Sequence, residues 1–131
     1  MKKIICIIMF LCCIFNSYAT EPVVFRHRTK SVAFYYDNKW SPEGDYKAVV
    51  TAYKNRIVLK SNNGEGVFQI GKVDMKTSQS GINSLFFECY NEKSKECTIE
   101  FTYVEDIGSP CMYIRFPTHI VRYILNSDDE Y

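Results

Sequence analysis

Hydrophobic positions along the chain recur with a period of two. Between residues 85 and 103, Leu85, Phe87, Cys89, Cys97, Ile99 and Phe101 fall on one parity, while Glu88, Thr98, Glu100 and Thr102 fall on the other. HIVRYIL (119–125) repeats the pattern with Val121, Tyr123 and Leu125. Alternation in short runs rich in Val, Ile, Thr, Tyr and Phe predicts half-buried strands. No stretch keeps a helical period over three turns. The expectation is an all-β domain of about eight antiparallel strands in meander order, a small up-and-down barrel or curled sheet, with a two-layer sandwich as the alternative.

Turn residues set the expected registers. Asn63-Gly64 in RIVLKSNNGEGVFQI (56–70) suits a two-residue type I′ turn. That turn sets Leu59 opposite Phe68 and Ile57 opposite Ile70. A tight turn at Lys54-Asn55 sets Ala52 opposite Ile57 and Val50 opposite Leu59, which brings the strand 46–53 onto the same inner face. A turn centred on Lys93 sets Leu85 against Phe101, Phe87 against Ile99 and Cys89 against Cys97. A turn near Ile107-Gly108 sets Phe101 against Ile114 and Tyr103 against Met112, leaving Cys111, Tyr113 and Arg115 outward. Gly71 marks a bulge where parity changes after Ile70. VVFRHRTKSVAFYY (23–36) reads as one long bent strand or two short ones.

The cysteines bear on compartment. Directly opposed residues of an antiparallel pair have Cα separations that suit a disulfide, so Cys89–Cys97 is expected as a staple. Closing so short a loop contributes about 2–3 kcal/mol in the chain-entropy model. A zinc site wants four ligands, and beyond residue 20 only His27 and His119 accompany the thiols. A thioredoxin-type pair has two intervening residues, whereas here there are seven. Cys111 is left over as a free or an intermolecular thiol, and an unpaired surface cysteine is the expectation.

Lys2-Lys3, the apolar run Ile4–Phe15 and the small residues Ser17 and Ala19 have the three-part form of a secretory leader, with cleavage expected after Ala19. A helix of that run spans about 18 Å against roughly 30 Å of hydrocarbon, so no transmembrane anchor is expected. Cys12 and Cys13 raise a lipoprotein leader as a rival, but neither follows a small residue. The expectation is one domain over residues 20–131, exported to the periplasm or secreted. Loss of Lys2 and Lys3 takes the formal charge from +1 to −1, so no bulk charge draws the domain to nucleic acid.

Chemistry is sparse. The chain has no GxSxG, HExxH, phosphate-cradling glycine loop or deaminase pattern, and no cofactor is implied. His27, between Arg26 and Arg28, and His119 are the available general bases. Both sit where surface histidines commonly do. The candidates for contact are Trp40, the outward Tyr35, Tyr53, Tyr90 and Tyr113, and the basic Arg26 and Arg28 with Lys30. They suit a protein or glycan partner. A carrier of a small apolar ligand is the second reading, since eight strands can enclose one ligand. Against it, the inner positions are bulky, and Asn38 stands where a lipocalin-type G-x-W would have glycine.

The leader, the IVLKS–turn–VFQI hairpin, the cysteine hairpin FFECYNEKSKECTIEF and the closing aromatic strand together resemble a group of small exported all-β proteins of Bacteroidota-type bacteria. The resemblance covers most of the chain after the leader. It implies an envelope or secreted location and no enzyme, and it supplies no functional residues.

Overall fold

The computed structural model describes residues 22–126; the expected leader and the acidic tail after Asn126 lie outside the described residues. Ten strands follow in chain order: β1 (Phe25–Tyr36), β2 (Lys39–Trp40), β3 (Gly44–Asp45), β4 (Ala48–Ala52), β5 (Arg56–Ser61), β6 (Gly64–Thr77), β7 (Asn83–Tyr90), β8 (Glu96–Val104), β9 (Ser109–Arg115) and β10 (Ile120–Leu125). Among the described residues no helix is long and apolar enough to cross a membrane. β4 to β10 pair in succession, and β1 bonds both β4 and β10, so eight antiparallel strands close into an up-and-down barrel. Closure removes the edges that a curled sheet or a sandwich would leave. β2 and β3 lie off the barrel, against β1.

β1 closes the barrel by changing partners. Phe25–Arg28 pair with β4, and Thr29–Tyr35 pair with β10, with a bulge at Lys30 between them. The strand is therefore one long bent element. Thr29 is buried at the split, where its hydroxyl donates to the Tyr46 carbonyl (2.7 Å) and accepts from the Ala48 N–H (2.9 Å). These two bonds stand in for the β1–β4 ladder where it stops.

The interior is a single cluster. Val50, Ile57, Ile99 and Met112 are fully shut off from solvent, with Phe68 and Phe87 nearly so. Side chains of this kind each contribute about 1.5–3 kcal/mol by burial. They come from the inward parity of successive strands, as the alternation predicts.

Registers agree with expectation at two hairpins and differ by two residues at two others. Ala52 faces Ile57 and Val50 faces Leu59, as read. Leu85, Phe87 and Cys89 face Phe101, Ile99 and Cys97. In the β5–β6 hairpin, however, Ile57 faces Phe68 and Leu59 faces Gly66. The loop there is Asn62-Asn63, and neither residue has positive φ, so it is not type I′. Ser61 at the first position accepts the Asn63 N–H (3.2 Å), and Gly64 takes the fourth, both preferences of a type I turn. In the β8–β9 hairpin Phe101 faces Met112, because a longer turn ends at Gly108 (φ 73), whose N–H reaches the Val104 carbonyl at 2.8 Å. A slip of two leaves every side chain on its expected face. Gly71 is the bulge in β6; a Cβ there would press within 3.4 Å of the Glu88 carbonyl oxygen and Tyr90 Cε2.

Two cysteine expectations need correction. Cys89 and Cys97 face each other as read, yet both carry free thiols, and the Cys89 Sγ–H points to the Phe87 carbonyl at 3.6 Å. The Asn91 N–H bonds the Lys95 carbonyl, with Ser94 in the left-handed region (φ 60). Counting back two residues on each strand makes Cys89/Cys97 a hydrogen-bonded pair, the type with Cα atoms about 5.5 Å apart and the wider Cβ spacing. A disulfide wants Cβ atoms about 3.8 Å apart, so the register is right and the pair type is wrong. Cys111 does have the outward parity expected, but it is fully buried, for a reason that lies in the next elements.

Candidate functional site

Asp37 and Asn38 both take positive φ (57° and 66°), making a type I′ reversal between β1 and β2. The chain from residue 37 to 45 then runs back along β1 as a strap. Ser41 donates its N–H to the Phe34 carbonyl (2.7 Å) and its Oγ accepts from the Phe34 N–H (2.9 Å). The Ser31 hydroxyl donates to Glu43 (3.2 Å), and the Tyr46 N–H reaches the Lys30 carbonyl (3.0 Å). The strap lies over the outer wall, where barrel closure aligns Glu100, Tyr113, Arg122 and Ala33 in one row across β8, β9, β10 and β1.

Trp40 is the centre of this wall. Its ring lies 5.2 Å from Tyr35 and 6.3 Å from Tyr113, and the Arg122 guanidinium sits 4.4 Å over it. Arg122 also pairs with Glu43, and Arg115 stands 5.0 Å over Tyr113. Arg115 Nη1 lies 2.6 Å from Glu100 Oε1, an ion pair without hydrogen-bond alignment. Burial works against the charge on Arg122, but Glu43 and then Tyr113 outweigh it and raise its pKa. The result is an outward network of three aromatic rings, two guanidiniums and two carboxylates.

The same strap accounts for Cys111. Glu43 and Arg122 act electrostatically on its thiol, which burial pushes up to about 11, with Arg122 opposing and Glu43 adding. Ala33, on the same outer wall, is likewise fully buried, whereas Trp40 keeps 37% of its surface exposed. It lies half-covered on the wall.

Of the sequence-derived candidates, Trp40, Tyr35 and Tyr113 converge. Arg26, Arg28 and Tyr53 sit on another wall, over β1, β4 and β5, where Arg26 Nε donates to Thr51 Oγ1 (3.2 Å) and Arg56 stacks 4.2 Å over Tyr53. Tyr90 is at the far end of β7, lining a cleft of about 380 Å³ with Glu96, Arg115 and Phe116. Glu43, Arg115 and Arg122 are the site residues that the sequence did not single out. Their alternation marks Arg115 and Arg122 as outward, but only the β1–β10 pairing brings them to Trp40.

The histidines separate from each other. His27 points inward opposite Val50, not outward as its charged neighbours suggest, and lies 5.8 Å from the Phe25 ring with Nδ1 buried. It lines an end cleft of about 390 Å³ with Phe25, Leu85, Phe101, Tyr103 and Leu125, and among the described residues that lining holds no carboxylate. His119 stacks on Phe116 at 4.8 Å and bonds the Thr118 hydroxyl (2.9 Å). Among the described residues no three His, Cys, Asp or Glu side chains gather as a metal site. Comparison with protein-family models, with curated proteins and with solved structures finds no match to this chain.

Proposed function

We propose that the protein is an exported, non-catalytic binding module whose contact surface is the Trp40 wall. The observation that carries this reading is the convergence of Trp40, Tyr35 and Tyr113 with Arg115 and Arg122 on one outward face. Tryptophan, tyrosine and arginine are the side chains that most often dominate binding energy at interfaces. Flat rings beside guanidiniums and carboxylates suit either a protein surface or a sugar ring, whose hydroxyls the charged groups would bond. Export is supported by the leader-like residues 1–19. Trp40 is the sole tryptophan, so its fluorescence reports this wall alone. Screening glycans and envelope proteins by that signal, with Trp40→Ala and Tyr113→Ala as controls, tests the reading. Partners bound equally by both variants would overturn it.

The end cleft between Phe25, Leu85, Phe101 and Leu125 favours a second reading, a carrier of a small apolar ligand. That cleft is at the rim, whereas the barrel centre is occupied by the core cluster. Native mass spectrometry separates the two readings. Added mass that vanishes on denaturation belongs to a carrier.

A further inference from the structure

β6 is longer than its pairing with β5. The two strands pair only over residues 64–69 of β6, and the last bond on that side runs from the Ile70 N–H to the Asn55 carbonyl (2.9 Å). Beyond the Gly71 bulge, among the described residues, 72–77 pair with β7 alone. The Ser78 N–H reaches the Ile82 carbonyl at 2.9 Å, so these two are a hydrogen-bonded pair. Stepping back by twos assigns the backbone bonds of Lys76, Asp74 and Lys72 to β7. Val73, Met75 and Thr77 then turn their N–H and C=O groups to the side that no described strand covers.

The side chains of this free edge alternate with its backbone. Val73 and Met75 stand opposite Phe87 and Leu85 on the inner parity, yet they are 53% and 62% exposed. Lys72, Asp74 and Lys76 take the other face, where the Lys76 ammonium lies 4.9 Å over the Phe86 ring. An apolar edge with open ladder groups is a template for another strand, and lysine is a common guard against that use. Here an aspartate stands between the two lysines, so the guard rejects some registers and admits one.

We infer that this edge joins two copies of the chain, β6 to β6, as an antiparallel pair about a twofold axis at Met75. The charges choose the register. An axis at Asp74 opposes two aspartates and sets Lys72 against Lys76, and an axis at Lys76 opposes two lysines; like charges directly opposite destabilise a strand pair. An axis at Val73 draws the Gly71 bulge, and Gln69 already paired with β5, into the seam. With the axis at Met75, Asp74 of each copy stands opposite the partner's Lys76, in the pair type that brings side chains closer. Met75 then exchanges both bonds with its counterpart, and Val73 does so with the partner's Thr77, about six backbone bonds in all. β6 is none of the strands of the Trp40 wall, so the inference does not rest on the reading of that patch.

Sedimentation velocity of the purified protein tests this directly. An edge this short makes a small interface, so a dimer with a Kd of about 10–500 μM is expected. Met75→Pro removes an N–H that only the partner uses and leaves the β6–β7 ladder intact, so it should weaken the dimer about tenfold or more with little change in thermal unfolding. Asp74→Lys should weaken it to a similar degree, about tenfold, by opposing lysines, and Asp74→Lys/Lys76→Asp should return it to within about threefold of wild type. Hydrogen exchange should slow with rising concentration at the Val73, Met75 and Thr77 amides, while those of Lys72, Asp74 and Lys76 are already protected by β7. A protein still monomeric at about 1 mM would overturn the inference. So would a dimer indifferent to Met75→Pro, or a double variant as weak as Asp74→Lys alone. Should the proline variant fail to fold, the charge series and the exchange pattern decide.

Discussion

Thr29→Val tests how the barrel is closed. The change nearly preserves shape and removes one hydroxyl, which donates to the Tyr46 carbonyl and accepts from the Ala48 N–H. Two hydrogen bonds at about 1 kcal/mol each are lost, and the Ala48 N–H is stranded at a buried residue, which costs a further 1–2 kcal/mol or so. The extra methyl recovers less than about 1 kcal/mol by burial. The net expectation is a loss of about 2–3 kcal/mol. For a domain of this size that lowers Tm by roughly 10–20 °C. Thr29→Ser keeps both bonds and gives up only a methyl, so it should cost about 1 kcal/mol. Urea unfolding followed by circular dichroism measures all three proteins. Hydrogen exchange at Ala48 should accelerate in the valine variant and stay near wild type in the serine variant. A valine variant within about 0.5 kcal/mol of wild type would refute the reasoning, as would a serine variant equally damaged.

Tyr123 gives a pH prediction. Burial, and secondarily Tyr46, raises its phenol from 10 to about 12. Above pH 10 the unfolded chain releases this proton while the folded chain keeps it, so stability present below pH 10 is lost as pH rises towards 12. At 1.36 kcal/mol per pKa unit the loss approaches about 2–3 kcal/mol, and Tyr123→Phe should flatten the slope over that window. Equal slopes in both proteins would refute it. Thiol chemistry gives another. Burial raises Cys89 to about 12 and Cys97 and Cys111 to about 11, so all three should resist alkylation in the folded protein. Trp40→Ala/Glu43→Ala should open Cys111 alone. Denaturation without reductant should release three thiols from residues 20–131; a count of one would mean that the hairpin pair had closed.

What the sequence disclosed was parity, and parity survives the errors made in register. The Asn63-Gly64 signal is real turn chemistry, but Gly64 serves as the fourth residue of the turn rather than its centre, which slides β6 by two without moving Phe68 off the inner face. The same holds for Met112 and Ile114 beyond the Gly108 turn. Gly71 was legible because a bulge changes parity, and a parity change is visible in a single strand. The candidate site was legible only in part. Tyr35 and Tyr113 announce themselves as outward, but their meeting through Trp40 depends on β10 pairing with β1, a contact between the two ends of the domain. Cys111 was misjudged for a related reason. Outward parity implies exposure only if nothing crosses the wall, and the strap crosses there. His27 shows the limit of neighbour-based reading, since its two flanking arginines point away from it by alternation.

The double pairing of β1 also orders events in time. Its first residues can bond β4 as soon as that nearby strand exists, but its second half waits for β10, the last of the described strands in chain order. Until then the inner face contributed by Val121, Tyr123 and Leu125 is missing, and one side of β1 is an open template. Pairings this distant in sequence slow folding because the loop must be closed before the contact rewards it. A nascent chain stopped before residue 120 is thus a sheet with two free edges, and release of β10 converts it into a barrel.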